Sequence, residues 1–584
     1  MDKPDYKYTI NEVHLNNGDL FTPGRINVFV GANNCGKTQL LKDMLAYITG
    51  KREASLILKE LEIPYPEIWD QMEQAYKMSP VETSQGLQLR HICPTLDKDP
   101  SGPSHYDLRN ILDLWLKQDR CQFRSSTGPG FVTYLNTDNR LRLAMGQQVQ
   151  KDLQKRGAKN VLEALYISGP ESTKRVRECI REIFDDTDVY LDSSNLGMLQ
   201  YRVGKDFSLI PENPQAAFKE LEKYAVLDNQ GDGLRSVLGI ITAIVALKKP
   251  IILLDEPEAF LHPPQALQLG RIISNLVNES QQIFVATHSA DFLRGLLGAT
   301  KDSVIIHLDR TSDNVTEAKI LDSMALSQII TDPLLSSSRV LEGMFYKGVV
   351  ATEADADTAF YQRLFQKVGA SDEIHFLHTP GKQALKKVID PYQKLGIKFA
   401  IIADADVIRE ISDMNSLLCL TTNQRTKDRI LNAREEILKY FQTESTYDRL
   451  VKLQNELQIL ASTELPLAEK AEDVEKLLAD YRAKLKKFRD DADDFSELKK
   501  YGKASLPIEQ QHHFDNLFNL CTEIGLFIVW VGELESWLVD YGIERTSNKS
   551  KWIAEALTKV FDIEYDGSKE IWKFVDKLRG FLIS

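Results

Sequence analysis

The sequence predicts an α/β protein in two successive units, each carrying a helical insertion, the second built on a parallel sheet of βαβ units. Three observations carry this reading. Apolar runs that read as buried strands, RINVFV (25–30), IILLD (251–255) and IFVAT (283–287), are spaced by helical stretches in the first half. A second set, GVVAT (348–352), a run at 373–379, KFAIIA (398–403) and LFIVWV (526–531), repeats the pattern from about residue 345 onward. Between the last two runs, about 422 to 515, the chain is rich in Glu, Lys, Leu, Ala and Arg and almost free of Gly, as a long helical hairpin or coiled coil is.

The composition is that of a globular chain. At 584 residues, two to four domains are expected on a prior of roughly 150 residues each. Hydrophobic residues make up 43% and charged residues 27%, which excludes collagen-like, disordered and disulfide-scaffold classes. The net charge of −13 excludes a general polyanion binder, so any nucleic-acid site is a local basic patch or acts through metal ions. The six cysteines form no CxxC pair and sit near no His at zinc spacing, which predicts free, reduced thiols. The N-terminal MDKPDYKYTI lacks the apolar core of a signal peptide. The longest apolar stretch, Val237–Leu247, ends at Lys248-Lys249-Pro250 and is too short to span a bilayer. These features predict a soluble, cytoplasmic protein with no membrane partner.

In the first half, strand 25–30 runs into Gly31-Ala-Asn33-Asn34-Cys-Gly36-Lys37-Thr38 and then a helix, fitting G-x-x-x-x-G-K-[ST]. Glycines at these positions let backbone N–H groups wrap phosphates, Lys37 reaches the β/γ-phosphates, and the Thr38 hydroxyl ligates Mg²⁺. Strand 251–255 ends in Asp255 and Glu256, placing one carboxylate for Mg²⁺ beside Thr38 and one to polarise water. His288 follows strand 283–287 where it can contact a γ-phosphate. Gly231 and Gly233 open the helix that leads to Asp255, and present N–H groups to an anion. FVTYLN (131–136) reads as a further strand, and 150–225 as mostly helical with a polar break at 192–195.

Together these residues resemble the ABC/SMC-like ATPases, in the branch of the RecF-like and abortive-infection ATPases, over about 1–310. The resemblance implies an ABC-type domain over 1–340, with 45–225 as an inserted arm or dimerisation region. It makes 229–236 the signature loop, with Gly231 where a serine is common, and it implies a homodimer or higher even oligomer.

In the second half, each of three apolar strands ends in acidic residues. Glu353 and Asp357 follow the first, Asp404 and Asp406 the second, Glu533 and Glu535 the third. Adjacent ends of a parallel sheet bring such carboxylates together, and like charges so placed call for divalent cations. An oxygen-only set favours Mg²⁺ or Mn²⁺. The pattern resembles the TOPRIM (topoisomerase–primase) fold over 341–584, with 422–515 inserted. On that resemblance Glu353 is the family's glutamate, followed by Ala354 where Gly is common. Asp404 and Asp406 match D-x-D, Glu535 matches the third acidic position of nuclease members, and Lys549 or Lys551, with Lys551 preferred, is the catalytic lysine.

An ABC-type ATPase followed by TOPRIM resembles the OLD (overcoming lysogenisation defect) family endonucleases, similar to Gabija-like and retron-associated anti-phage effectors. The resemblance implies ATP with one Mg²⁺, two Mg²⁺ or Mn²⁺ ions in the TOPRIM site, DNA as substrate, and a second defence-system component as partner. The expected activity is ATP-gated, metal-dependent DNA cleavage. The alternative is a non-cutting RecF/SMC-like DNA-binding repair ATPase with a vestigial TOPRIM unit. A topoisomerase or primase is disfavoured, because no tyrosine-bearing cleavage domain or zinc ribbon is evident in the sequence.

Overall fold

The computed structural model describes residues 6–50, 55–69, 78–83, 86–91, 105–106, 108–149, 153, 158–195, 197–298, 302–311, 315–321, 329, 332, 338–370, 372–378, 382–443, 451, 454–455, 457–459, 461–462, 471–491, 496–545 and 549–583. The chain divides into two compact units, Met1–Phe345 and Tyr346–Ser584.

The first unit is built on six strands: β1 (Ile26–Val30), β2 (Val132–Leu135), β3 (Ile251–Asp255), β4 (Gln282–Ala286), β5 (Ser303–Arg310) and β6 (Thr316–Leu321), in the order β6-β5-β1-β4-β3-β2. All neighbours are parallel except β5 and β6. Every residue of β1 and β3 is buried, as expected of strands covered on both faces. Helix α1 (Lys37–Thr49) follows β1, and α2 (Asp232–Leu247) precedes β3. Because β2 forms an edge of this sheet, the range 45–225 is not inserted as a whole. The reading of 150–225 as mostly helical is also corrected. Strands Asp188–Asp192 and Met198–Gly204 pair antiparallel, and Ala225–Val226 extends the same sheet. Their inward residues include the buried ion pair Arg202–Asp192 at 2.9 Å, which breaks the apolar alternation that marks a strand.

The second unit holds a four-stranded sheet of β7 (Gly348–Thr352), β8 (Ile374–His378), β9 (Lys398–Ala403) and β10 (Leu526–Ile528), ordered β8-β7-β9-β10 and parallel throughout. Helix α3 (Asp355–Lys367) follows β7. The expected insertion contains α4 (Gln424–Thr443), α5 (Ala471–Asp491) and α6 (Ser496–Tyr501), and α7 (Gln511–Glu523) leads back into β10. Helix α8 (Lys549–Asp562) packs on α3 through Trp552 and Phe360, with ring centroids 5.7 Å apart. Trp530, Trp537 and Phe574 form an aromatic cluster around the turn after β10, with centroids 5.1–5.8 Å apart.

Candidate functional sites

The phosphate loop leaves the centre of the first sheet at Gly31, whose φ of 138° suits glycine alone. A Cβ there would lie 2.2 Å from the Leu308 carbonyl oxygen, so the close approach requires glycine as well. Asn34 and Gly36 are also left-handed, with φ of 62° and 106°. Asn33 and Asn34 are exposed, whereas Lys37 is buried beneath the loop. Its ammonium donates to the carbonyls of Gly31 at 2.8 Å and Ala32 at 3.0 Å. Burial lowers its pKa, opposed by the Cys35 thiol and the carboxylates of Glu256 and Glu258.

Thr38 and Asp255 meet as the sequence predicts. The Thr38 hydroxyl donates to Asp255 Oδ1 at 2.8 Å, and the Tyr134 hydroxyl donates to Oδ2 at 3.3 Å. Arg140, fully buried, donates from Nη1 to the Asp255 backbone carbonyl at 2.5 Å. Glu256 turns away from the strand with φ 46°, its N–H bonded to the Ala286 carbonyl at 2.8 Å. His288 Nε2 lies 3.6 Å from Glu256 Oε1. Burial, and then the Lys37 charge, lower the His288 pKa to about 4, so the ring is neutral at pH 7.

Glu258 was not singled out from the sequence, although it belongs to the same acidic motif. Its Oε1 accepts from the Thr287 hydroxyl at 2.9 Å and the His288 N–H at 2.8 Å, which fixes the strand end that carries His288. Gly231 caps α2 and Gly233 lies in its first turn, where a Cβ would sit 2.8 Å from the Phe260 carbonyl oxygen. The glycine loop is therefore pressed against the segment that follows Glu256. The oxygen ligands of Thr38 and Asp255, with a buried ammonium under a glycine-bearing loop, fit a nucleotide triphosphate with Mg²⁺.

In the second unit the acidic residues follow three neighbouring strands. Glu353 comes one residue after β7, Asp404 one residue after β9, and Glu533 and Glu535 lie in the turn beyond β10. Asp357 is in the first turn of α3, and Asp406 in the 3-10 turn Ala405–Ile408. The strand ends are tied together. Val529 N–H donates to the Ala403 carbonyl at 2.9 Å, and Ala405 N–H to the Gly532 carbonyl at 2.8 Å. Glu353 is exposed, Asp404, Asp406 and Glu533 half-buried, and Glu535 buried.

Two side chains register the shared field of these carboxylates. Burial raises the Tyr361 hydroxyl pKa, the Trp537 Nε1–H bond to it at 2.8 Å opposes this, and Asp357, Asp404 and Glu535 raise it further. Lys499, on α6, donates to Asp406 Oδ2 at 2.8 Å. Burial alone would lower its pKa, but Asp406, Asp404 and Glu533 together outweigh burial and raise it. Sequence reading missed Lys499. Lys551 is exposed in the first turn of α8, and the side chain of Lys549 lies outside the described residues. An all-oxygen donor set of this charge, with an ammonium already standing among three of its members, fits hard divalent cations. Among the described residues, the group of ligand atoms lying within 4.8 Å of one another is Glu12, His14 and Glu62, on an antiparallel strand pair of the first unit. The carboxylates of the second unit are more widely spread.

Two family matches cover parts of the chain. Residues 185–294 match the family described as "AAA domain, putative AbiEii toxin, Type IV TA system". Residues 344–406 match the TOPRIM domain of overcoming-lysogenization-defect-like proteins, a span that includes Glu353, Asp357, Asp404 and Asp406. The Old nuclease of Escherichia phage P2 is 26% identical over 168 residues, 28% of this chain and 28% of that protein. The OLD nuclease of Thermus scotoductus is 23% identical over 265 residues, 42% of this chain and 48% of that protein. Protein ea59 of Escherichia phage lambda is 24% identical over 273 residues, 45% of both chains. The chain thus spans less than half the length of each of these relatives. An ATPase-type match followed by an OLD-like TOPRIM match, with OLD nucleases among the relatives, makes this chain similar to the OLD-type ATPase–TOPRIM proteins in both of its units.

Proposed function

We propose that this protein is an ATP-binding, metal-dependent DNA endonuclease of anti-phage defence, in which ATP binding and hydrolysis gate cleavage. The observation that carries the reading is the succession of carboxylates at three adjacent parallel strand ends, Glu353, Asp404 with Asp406, and Glu533 with Glu535, in the unit matched by TOPRIM. Retention of the whole acidic set favours a cutting enzyme over a vestigial one.

In this reading Lys37, with the N–H groups from Gly31 to Gly36, holds the phosphates. Thr38 and Asp255 supply the oxygens for one Mg²⁺. Glu256 orients the attacking water, and neutral His288 donates a hydrogen bond at the γ-phosphate. Gly231 and Gly233 serve the site of a partner copy, which requires a homodimer or a higher even oligomer.

In the second unit Glu353, Asp404, Asp406 and Glu535 hold the divalent ions, with Asp357 and Glu533 beside them. Ions bound there supply water activation and stabilisation of the leaving oxygen. Lys551 is assigned to the DNA phosphate at the cleavage point. A role in defence, a second component as partner and a cytoplasmic location complete this reading. Among the described residues no helix is long and apolar enough to cross a membrane.

The test is plasmid nicking by the purified protein in Mg²⁺ or Mn²⁺, with and without ATP. Nicking that EDTA abolishes is the expected result. A protein that hydrolyses ATP and binds DNA without nicking it under any of these conditions would instead be a non-cutting ATPase.

A further inference from the structure

Lys499 belongs to α6, the last short helix before the chain leaves the insertion, yet its ammonium reaches Asp406 at 2.8 Å. Asp404 and Glu533 act on the same ammonium. An ordinary exposed ion pair joins one cation to one anion and contributes little. Here one cation stands among carboxylates from two different strand ends.

Its position is fixed from behind. Gly502 and Gly532 face one another with φ of 53° and 109°. A Cβ on Gly502 would lie 2.0 Å from the Trp530 carbonyl oxygen, and one on Gly532 would lie 2.3 Å from the Lys499 carbonyl oxygen. Lys503 N–H donates to the Trp530 carbonyl at 2.7 Å, and the Ser536 hydroxyl to the Lys500 carbonyl at 3.0 Å. The foot of the insertion is thus bolted, backbone to backbone, onto the turn that carries Glu533 and Glu535. That turn is in turn bonded to Ala405, between Asp404 and Asp406.

We propose that Lys499 is an internal cation of the acidic site, a positioning residue that holds Asp406 in the metal-free protein and competes with the divalent ion for it. The inference rests on the reading of this cluster as a metal site. One ammonium offsets a single charge, while Asp404, Asp406 and Glu533 carry three. Lys499 therefore limits the mutual repulsion of the carboxylates without satisfying them, and a divalent ion entering the site displaces it from Asp406. Because the displaced lysine is carried by the insertion, whatever shifts the foot of the insertion changes the metal affinity of the site. The insertion becomes a regulator of metal occupancy rather than a passive spacer.

The experiment measures Mn²⁺ binding to the full-length protein, without ATP or DNA, from the free-Mn²⁺ paramagnetic resonance signal. Wild type, Lys499→Gln, Lys499→Arg and Asp406→Asn are compared, and circular dichroism and thermal melting confirm that each is folded. Removing the competing charge in Lys499→Gln is expected to tighten Mn²⁺ binding about tenfold. Raised salt is expected to narrow the difference. Lys499→Arg restores the charge and is expected to bind as wild type does, which a purely structural role for the side chain would not require. Asp406→Asn is expected to weaken binding. Equal or weaker Mn²⁺ binding by folded Lys499→Gln overturns the competition while leaving the metal reading intact, provided Asp406→Asn still loses affinity. Equal binding by wild type and Asp406→Asn overturns the metal reading itself, and the inference with it.

Discussion

The hydroxyl of Thr38 donates to Asp255 Oδ1 across 2.8 Å, joining the first turn of α1 to the end of β3. Two motifs 217 residues apart in sequence thus meet at one point. Such a contact is what an Mg²⁺ site needs from its two halves. With Lys37 buried beneath the loop, it predicts how the nucleotide site responds to substitution. Lys37→Ala is expected to abolish ATP binding, and Glu256→Gln to bind ATP but hydrolyse it at least about a hundredfold more slowly. Equilibrium binding of a fluorescent ATP analogue and phosphate release check the two. Undiminished ATP affinity in the lysine variant would remove this site from the account.

His288 gives a pH prediction. Its pKa, lowered to about 4 by burial and then by Lys37, lies below the value of an unfolded histidine. The unfolded chain therefore takes up a proton at this residue near pH 6.5, whereas the folded protein does so only near pH 4. The stability contributed by neutral His288 is present in full above about pH 6.5 and is lost as pH falls from there toward 4. Between pH 7 and 8 no titration of this ring is expected in ATP hydrolysis. Histidine ring resonances followed by NMR against pH, with His288→Gln for assignment, should show one ring titrating near 4. A His288 midpoint near 6.5 would contradict the burial argument.

Gly532 gives a stability prediction. Alanine there must adopt φ 109° and place its Cβ against the Lys499 backbone oxygen. The strained conformation alone costs about 1–3 kcal/mol, and the collision adds to it. Gly532→Ala is expected to lower the melting temperature and to impair DNA cleavage severely, while ATP binding by the first unit stays normal. Calorimetry and the two assays together decide this. Normal melting and cleavage would mean the foot of the insertion is free to give way.

The glycine loop at Gly231 and Gly233 predicts an even oligomer. Light scattering of the full-length protein, with and without ATP, is expected to give a mass at least twice the 66.4 kDa of one chain. A strictly monomeric mass under both conditions would contradict the assignment of Gly231 and Gly233 to a partner's site.

What the sequence made legible, and what it hid, follows from packing. Strands buried on both faces are continuous apolar runs, so β1, β3, β4, β7 and β9 stand out, and the residues at their ends stand out with them. The antiparallel hairpin at 188–204 does not, because Arg202 and Asp192 pair inside it and interrupt the alternation. Arg140 is hidden because an arginine on a short polar helix, two residues from Arg142, carries no signal until its guanidinium is found buried against Asp255. Lys499 is hidden for a similar reason. In Ser496–Tyr501 two adjacent lysines look like a solvated helix face, and only the return of the chain places one of them against Asp406, 93 residues away.

Cleavage by the Glu353→Ala protein tests the central claim most directly. Glu353 lies one residue beyond β7, the neighbour of β9 whose end carries Asp404, and far in sequence from Lys37 and Asp255. Residues that act as one catalytic unit fail almost as completely singly as together. Supercoiled plasmid is incubated with wild-type and Glu353→Ala protein in Mn²⁺, and ATP binding is measured on the same preparations. The account predicts no cleavage by Glu353→Ala and ATP binding equal to wild type. Cleavage at the wild-type rate by Glu353→Ala would contradict the acidic strand ends as the catalytic centre.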